Sequence, residues 1–326
     1  MKRKIGLLAL SAAATIALAA CGSGSPSDDS AAGTSSSNGS LTKVSVGVIP
    51  IVDVAPIYLG EQEGFFKEQG LDLEFVSAQG GAAIVPAVTS GTMDFGFSNI
   101  SSMFVAKSKG LDLKVISAGA SSTGKDGEDF GGVLVKKGSP ISSAADLENK
   151  TVAVNTLNNI NDTTVRESVR KAGGDPSKIK FVELGFPDMQ AALTRGQVDA
   201  IQVVEPFLTS GKEAEDELIA SNYVDTADQL TIGAYFTTAE KSEKDADMVG
   251  KFSTAMSKSL AYANENPDAV RDILPTYTKI DAETAKKLTL PNFASEINRD
   301  SVEKLVQLSK ADGLIDSDPD LEQLLP

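Results

Sequence analysis

The residue types that could do chemistry in this chain are few. There is no histidine, so Ser-His-Asp or Cys-His nucleophile activation, an imidazole general base and a histidine-containing zinc site are excluded. A single cysteine, Cys21, permits neither an internal disulfide nor a four-thiolate metal cluster. Carboxylates, amides and hydroxyls remain. Asp53 and Glu205 are the carboxylates that could form a general acid–base pair acting on a glycoside, but no spacing in the sequence supports it. With 45 Asp+Glu against 30 Lys+Arg the formal charge is −15, which repels phosphate and gives no counterion release, so no nucleic-acid partner is expected. No cofactor is called for either. The 326 residues, 41% hydrophobic and 23% charged, have the composition of a globular protein large enough for one large domain or two lobes.

The N-terminal residues belong to export, not to the fold. Lys2, Arg3 and Lys4 form a basic region, Ile5 to Leu18 an apolar one, and Ala19-Ala20 supply small residues before Cys21. Loss of residues 1–20 would remove three positive charges and take the formal charge from −15 to −18. Residues 22–40, GSGSPSDDSAAGTSSSNGS, contain no large apolar side chain and read as a tether spanning about 25 Å as a Gly/Ser-rich coil. Folded structure is expected from Leu41. Nothing later approaches the ~18 consecutive apolar residues of a membrane span.

From there strands and helices alternate. VSVGVI (Val44 to Ile49), LDLEFV (Leu71 to Val76), Phe95 to Phe97 and Leu113 to Ser117 read as strands. Helices are expected from Pro56, interrupted at Gly64 and ended at Gly70, from Ala82 to Thr89, and from Ser101 to Lys109. This order implies βαβ units and mostly parallel sheet. An internal repeat sharpens the reading: Ala87 to Asp94 (AVTSGTMD) matches Ala192 to Asp199 (ALTRGQVD) at an offset of 105, and strands upstream repeat in the same order. Two similar α/β lobes follow, with Asp94 and Asp199 structural. After TIGAYFTT (Thr231 to Thr238) the tail reads as helical throughout, with a helix over Ala246 to Asn264 and a capping-box-like start at Asp300. A tail of helices has no sheet of its own and should return to the first lobe, making Gly132 to Val135 and Ala234 to Thr237 the crossing segments. The expected organisation is residues 41–131 and 236–326 in lobe 1 and 132–235 in lobe 2.

Two resemblances carry a functional reading. Leu18-Ala19-Ala20-Cys21 resembles the lipobox of bacterial lipoproteins, which implies cleavage before Cys21 and diacylglycerol on its thiol, leaving the protein anchored on the extracytoplasmic face of the cell membrane. PIYLGEQEGFFKEQGLDLEF (Pro56 to Phe75), VTSGTMDFGFSN (Val88 to Asn99), GVLVKKGSPISSAADLENKTVAV (Gly132 to Val154) and LTRGQVDAIQVVEPF (Leu193 to Phe207) together resemble the substrate-binding proteins of ABC importers, in the broad family of sulfonate, taurine, nitrate and thiamine-pyrimidine binders. The resemblance implies a type II two-lobed periplasmic-binding fold, each lobe a mostly parallel sheet flanked by helices. It also implies a monomer that closes on a small solute, hands it to a membrane permease and catalyses nothing.

Such a fold puts the ligand at the carboxyl ends of strands, where helix N-termini present unpaired N–H groups. The positions so implied are Asp53 after the first strand, Gln79, Gly80 and Gly81 after the second, and Ser98, Asn99 and Ser101 after the third. In the second lobe they are Asn155, Asn159, Asn161, Asp162, Thr163 and Glu205. Ser101 and Asp162 also suit helix caps, and the asparagines suit turns. Phe130, Phe186 and Phe207 are either core or stacking residues. Apart from Lys125 these loops hold no Lys or Arg, so an anion would be held by helix N-termini, amides and hydroxyls, while Asp53 and Glu205 accept from a donor at the solute's other end. The expected solute is a sulfonate or another small organic anion. A thiamine-pyrimidine-type or aromatic heterocycle or carboxylate solute is the alternative, its thiamine-pyrimidine form weakened because PIVDVAP lacks the aromatic and histidine residues usual in that branch.

Overall fold

The computed structural model describes residues 41–326; the signal, Cys21 and the tether lie outside them. The strands are β1 (Thr42–Val48), β2 (Leu71–Ser77), β3 (Phe95–Asn99), β4 (Leu113–Ala118), β5 (Ala120–Ser121), β6 (Gly131–Val135), β7 (Thr151–Val154), β8 (Lys180–Glu183), β9 (Ala200–Val204), β10 (Glu217–Ala220), β11 (Gly233–Thr238) and β12 (Asn292–Phe293). They form two five-stranded sheets, β2-β1-β3-β11-β4 and β8-β7-β9-β6-β10, and a two-stranded β5-β12 pair. The two large sheets have the same plan. A parallel trio is followed by one antiparallel strand, β11 in the first sheet and β6 in the second, so each sheet is mixed.

The repeated octapeptide is a joint with the same bonds in both lobes. Gly91 and Gly196 end their helices at φ 75° and 68°, a left-handed conformation that a residue with Cβ adopts only under strain. The following aspartate ties itself to the first strand of its sheet. Asp94 N–H donates to the Ser45 carbonyl (3.0 Å) while its carboxylate accepts from Ser45 N (2.8 Å) and Oγ (2.8 Å). Asp199 N–H donates to the Thr151 carbonyl (2.8 Å) and its carboxylate accepts from Thr151 N (2.8 Å). Each joint sets the register of the third strand of its sheet against the first.

The helices that flank the first sheet come largely from the chain's end. Ala246–Glu265 places Phe252 on Phe95 at 4.2 Å between ring centroids and Phe66 beside it at 5.6 Å. It also crosses Ala55–Gln62 so closely that a Cβ on Gly60 would lie 1.8 Å from Ser259 Oγ, which explains glycine there. Three expectations are corrected. Gly132 to Val135 and Ala234 to Thr237 are strands inside the sheets; the chain crosses just before each, and the crossings pair with one another through Ser122 N to Leu230 O (2.9 Å) and Ile232 N to Ala120 O (2.9 Å). The tail is not wholly helical, because Asn292–Phe293 pairs with Ala120–Ser121. The last long helix, Arg299–Ala311, is capped by Asn298, whose side chain accepts from Ser301 N (3.3 Å), and not by Asp300.

Asp94 has more partners than Asp199, including a 2.9 Å ion pair with Lys241. Asp94→Ala should therefore destabilise the protein by about 2 kcal/mol and Asp199→Ala by about 1 kcal/mol, as judged from hydrogen bonds to charged groups. Urea unfolding checks the order, and equal losses would show that the joint's extra bonds add nothing.

Candidate functional site

The helices Ala55–Gln62, Gly81–Thr89, Ile100–Ser108, Ile160–Lys171, Phe186–Thr194 and Phe207–Glu213 follow the carboxyl ends of β1, β2, β3, β7, β8 and β9. These ends face each other across a narrow cavity. The first lobe lines it with Ile49, Ile51, Asp53, Phe97 and Asn99, the second with Asn155, Ile160, Asn161, Phe186 and Val204. Tyr223, Ile232 and Gly233 enter from the second crossing and the start of β11. A second, roomier cavity, walled by Gln79, Phe186, Pro187 and Phe207, shares Ile49, Ile51 and Phe186 with the first. Bonds between the lobes run beside the two, Val52 N to Glu205 O (3.0 Å), Asn155 Nδ2 to Gln79 O (3.4 Å) and Thr289 N to Glu205 Oε1 (3.2 Å), and the Arg170–Asp312 ion pair (2.7 Å) joins the lobes farther out.

Four of the sequence-derived residues are brought together on the main cavity: Asp53, Asn99, Asn155 and Asn161. The amides form an ordered chain. Asn155 Oδ1 accepts from Asn161 Nδ2 (2.7 Å) and Asn159 Nδ2 (3.3 Å), and Asn161 Oδ1 accepts from the Tyr223 hydroxyl (2.8 Å). Asn99 Oδ1 caps its helix by accepting from Ser102 N (2.9 Å). Asp53 differs: it is 2% exposed and its Oδ2 accepts no hydrogen bond. Burial, with a smaller push from the negative charge of Asp129, raises its carboxyl to about 7.

The remaining positions serve the walls. Gln79 lines the second cavity, and Gly80 lets the first lobe approach the second, since a Cβ there would lie 3.0 Å from Thr156. Gly81 leaves room for Ser98, whose Oγ would be 2.0 Å from an added Cβ. Ser98 and Ser101 are fully buried behind the cavity, with hydroxyls that make no hydrogen bond. Asn159 caps its helix, Asp162 accepts from Asn158 N (3.0 Å) and Asn159 N (2.7 Å), and Thr163 donates to the Asn159 carbonyl (2.8 Å). Glu205 is fully engaged: Thr209 N (2.9 Å), Thr209 Oγ1 (2.7 Å) and Thr289 N all donate to its carboxylate. Phe186 stacks on Phe207 at 5.7 Å, and Phe130 is buried against Tyr223. Sequence reasoning missed Tyr223 and Ile232, which come from segments with no repeat or loop signature, and Phe97, which lies in the strand after the repeated octapeptide and reads there as core. It also missed Asp129, held by Ser122 Oγ (2.7 Å), Thr123 N (2.9 Å) and Phe130 N (3.0 Å).

Two mixed sheets, crossed twice by the chain and closing on a shared cavity, define the periplasmic-binding fold. The NMT1/THI5-like family model matches residues 51–270, and the chain belongs to that family. It is 24% identical over 271 residues to a formylaminopyrimidine-binding protein of Halalkalibacterium halodurans, covering 81% of this chain and 76% of that one. It is 25% identical over 287 residues to a 4-amino-5-hydroxymethyl-2-methylpyrimidine phosphate synthase of Legionella pneumophila, covering 82% and 85%. The ligand-binding component of an ABC-type import system from Staphylococcus aureus superposes with a TM-score of 0.75 at 16% identity, over 87% of this chain and 96% of that one. Other matches are named as binding taurine, alkanesulfonate and nitrate.

The Asp53 carboxyl, raised above its unfolded value near 3.8, holds its proton more tightly in the fold, so its contribution to stability is present at low pH and lost as pH rises through about 7. Asp53→Asn, neutral at every pH, should raise the unfolding free energy by on the order of 1–3 kcal/mol at pH 8 and only slightly at pH 4, where the unfolded carboxyl is itself about half protonated. Chemical denaturation at both pH values reads this; a stabilisation independent of pH would show that Asp53 is not charged at pH 8.

Proposed function

We propose that this protein is the extracytoplasmic solute-binding component of an ABC importer, which holds a small organic solute between its lobes and presents it to a membrane permease. The observation that supports this most directly is the composition of the cavity wall. Neither lobe supplies a complete site, and amides, an aromatic pair and a carboxylate converge only when the lobes meet. A solute that touches both lobes favours the closed arrangement by the difference in its affinity for the two states. The family also contains synthases. Binding is favoured here because the cavity's amides bond to one another and to Tyr223 as a fixed recognition surface, and the chain has no histidine for proton transfer.

Closure is expected to be a hinge motion about the paired crossings. Small-angle scattering should give a larger radius of gyration without solute and, at saturation, a profile matching the closed structure. An unchanged profile at proven saturation would remove the cleft mechanism.

We further read Cys21 as the lipid attachment point, with the tether letting a monomeric domain work close to its permease. Cys21→Ser should shift the protein from the membrane fraction to the soluble one, or leave it unprocessed. A variant that matures and fractionates as wild type would overturn the anchor.

A further inference from the structure

The tail that follows β11 touches the second lobe twice, and both contacts start from the crossings. Asn292–Phe293 is held to the first crossing by its pairing with Ala120–Ser121, and the residues just before it meet Phe207–Glu213 and the strand end ahead of it. There the Thr289 amide donates to the Glu205 carboxylate (3.2 Å), the Thr284 hydroxyl donates to Glu213 Oε2 (3.1 Å), and Lys287 pairs with Glu213 Oε1. The last long helix, Arg299–Ala311, is rooted at the second crossing, where Asn298 N donates to Thr231 Oγ1 (3.0 Å) and Thr231 N to Ser301 Oγ (3.0 Å). Its far end meets Ile160–Lys171. Arg170 Nη2 donates to Asp312 Oδ1 (2.7 Å), Lys304 Nζ lies 3.5 Å from Glu167 Oε1, and Arg170 also pairs with Glu167 within its own helix. The tail thus grips the second lobe at two helices, one following β9 and one following β7.

We infer that the returning tail is a two-armed strap that sets how readily the lobes close, and that the arm built on Arg170 carries most of its effect. This goes beyond the solute-binding reading and rests on the hinge closure that reading includes. The arms differ in burial. The Lys287 and Glu213 side chains are 61% and 36% exposed, so their pair is hydrated and screened and contributes little. Glu167 and Asp312 are each 7% exposed. They are acids of opposite lobes facing one guanidinium, and Asp312 Oδ2 accepts no hydrogen bond. Taking Arg170 away leaves two buried carboxylates with Lys304 and Arg166 as the nearby cations. That cost falls on the closed arrangement, because rotation about the crossings returns both acids to water. Making all three groups neutral removes the charges and the cost together. None of Arg170, Glu167, Lys304 and Asp312 lines either cavity, so the strap acts on closure without touching a solute.

The test is cross-linking of a cysteine pair placed where the lobes touch. Gly80→Cys and Thr156→Cys in the Cys21→Ser chain suit it, because a Cβ at Gly80 would lie 3.0 Å from Thr156 Cγ2. The disulfide forms only while the lobes are together, so its rate under a fixed concentration of diamide, with no solute added, reads the closed fraction. Adding Arg170→Met should slow cross-linking by about fivefold or more, and adding Lys287→Met by less than about twofold. The combination Arg170→Met, Glu167→Gln and Asp312→Asn should return the rate to within about twofold of the starting pair. Raising NaCl from about 50 mM to about 1 M should slow the starting pair more than that combination. The salt step and Arg170→Gln stand in if Arg170→Met does not fold. An Arg170→Met rate equal to that of the starting pair, or a neutral combination as slow as Arg170→Met alone, would overturn the strap and leave the solute-binding reading standing. One rate in every variant, together with one scattering profile with and without solute, would overturn both.

Discussion

The two lobes keep their relation to one another through a small piece of backbone. The chain leaves the first sheet after β4 and returns to it at β11, and at both crossings the strands run side by side, with Ser122 N bonded to Leu230 O and Ile232 N to Ala120 O. Pairing them couples the lobes through main-chain hydrogen bonds that no side-chain change removes. The short β5-β12 pair braces this hinge from the tail. Tyr223, Ile232 and Gly233 lie on the cavity because the second crossing passes directly beneath it. The cavity and the second crossing therefore share residues.

The duplicated plan was legible because it is written in backbone chemistry. A helix that must stop and turn into a strand needs a residue tolerant of positive φ, and an aspartate that bonds the first strand follows three residues later; Gly91 with Asp94 and Gly196 with Asp199 satisfy both. The strand-end loops were legible for a related reason, since helix N-termini gather amides and small residues. Which of those residues faces ligand was not. Asn155 and Asp162 belong to one loop and look equally polar, yet the first lines the cavity and the second is consumed by Asn158 and Asn159 amides. That division depends on backbone direction at single residues. Tyr223 and Phe97 were invisible because an aromatic residue in a strand or connector reads as core until the partner lobe is placed opposite it.

Glu205 and Asp53 show how two carboxylates at equivalent places acquire different work. Burial raises both, and the sequence treats them alike. Glu205 lies at the start of Phe207–Glu213, where the Thr209 amide and hydroxyl meet it, and its Oε1 reaches the Thr289 amide of the tail. It thus ties the second lobe to the returning chain and acts as a positioning residue for the cleft wall. Asp53 precedes the helix Ala55–Gln62, whose N-cap position is taken by Val54 with no side-chain bond, and the carboxylate is turned to the cavity instead of back to the helix amides.

That difference has a thermodynamic consequence. A carboxyl whose proton is released near neutrality only under the protest of its surroundings weakens the empty closed state, because closing the lobes over it removes water without supplying a partner. The open state, in which water reaches the group, is favoured by the same amount. An occupant that donated a hydrogen to Asp53 would remove the penalty and add its own contacts, and so would favour the closed state by more than contact area alone. Nature's alternative, a cavity lined only by satisfied groups, would close nearly as well when empty and would present the permease with unloaded protein. The unpaired Asp53 oxygen makes a closed, empty cleft costlier than one lined only by satisfied groups.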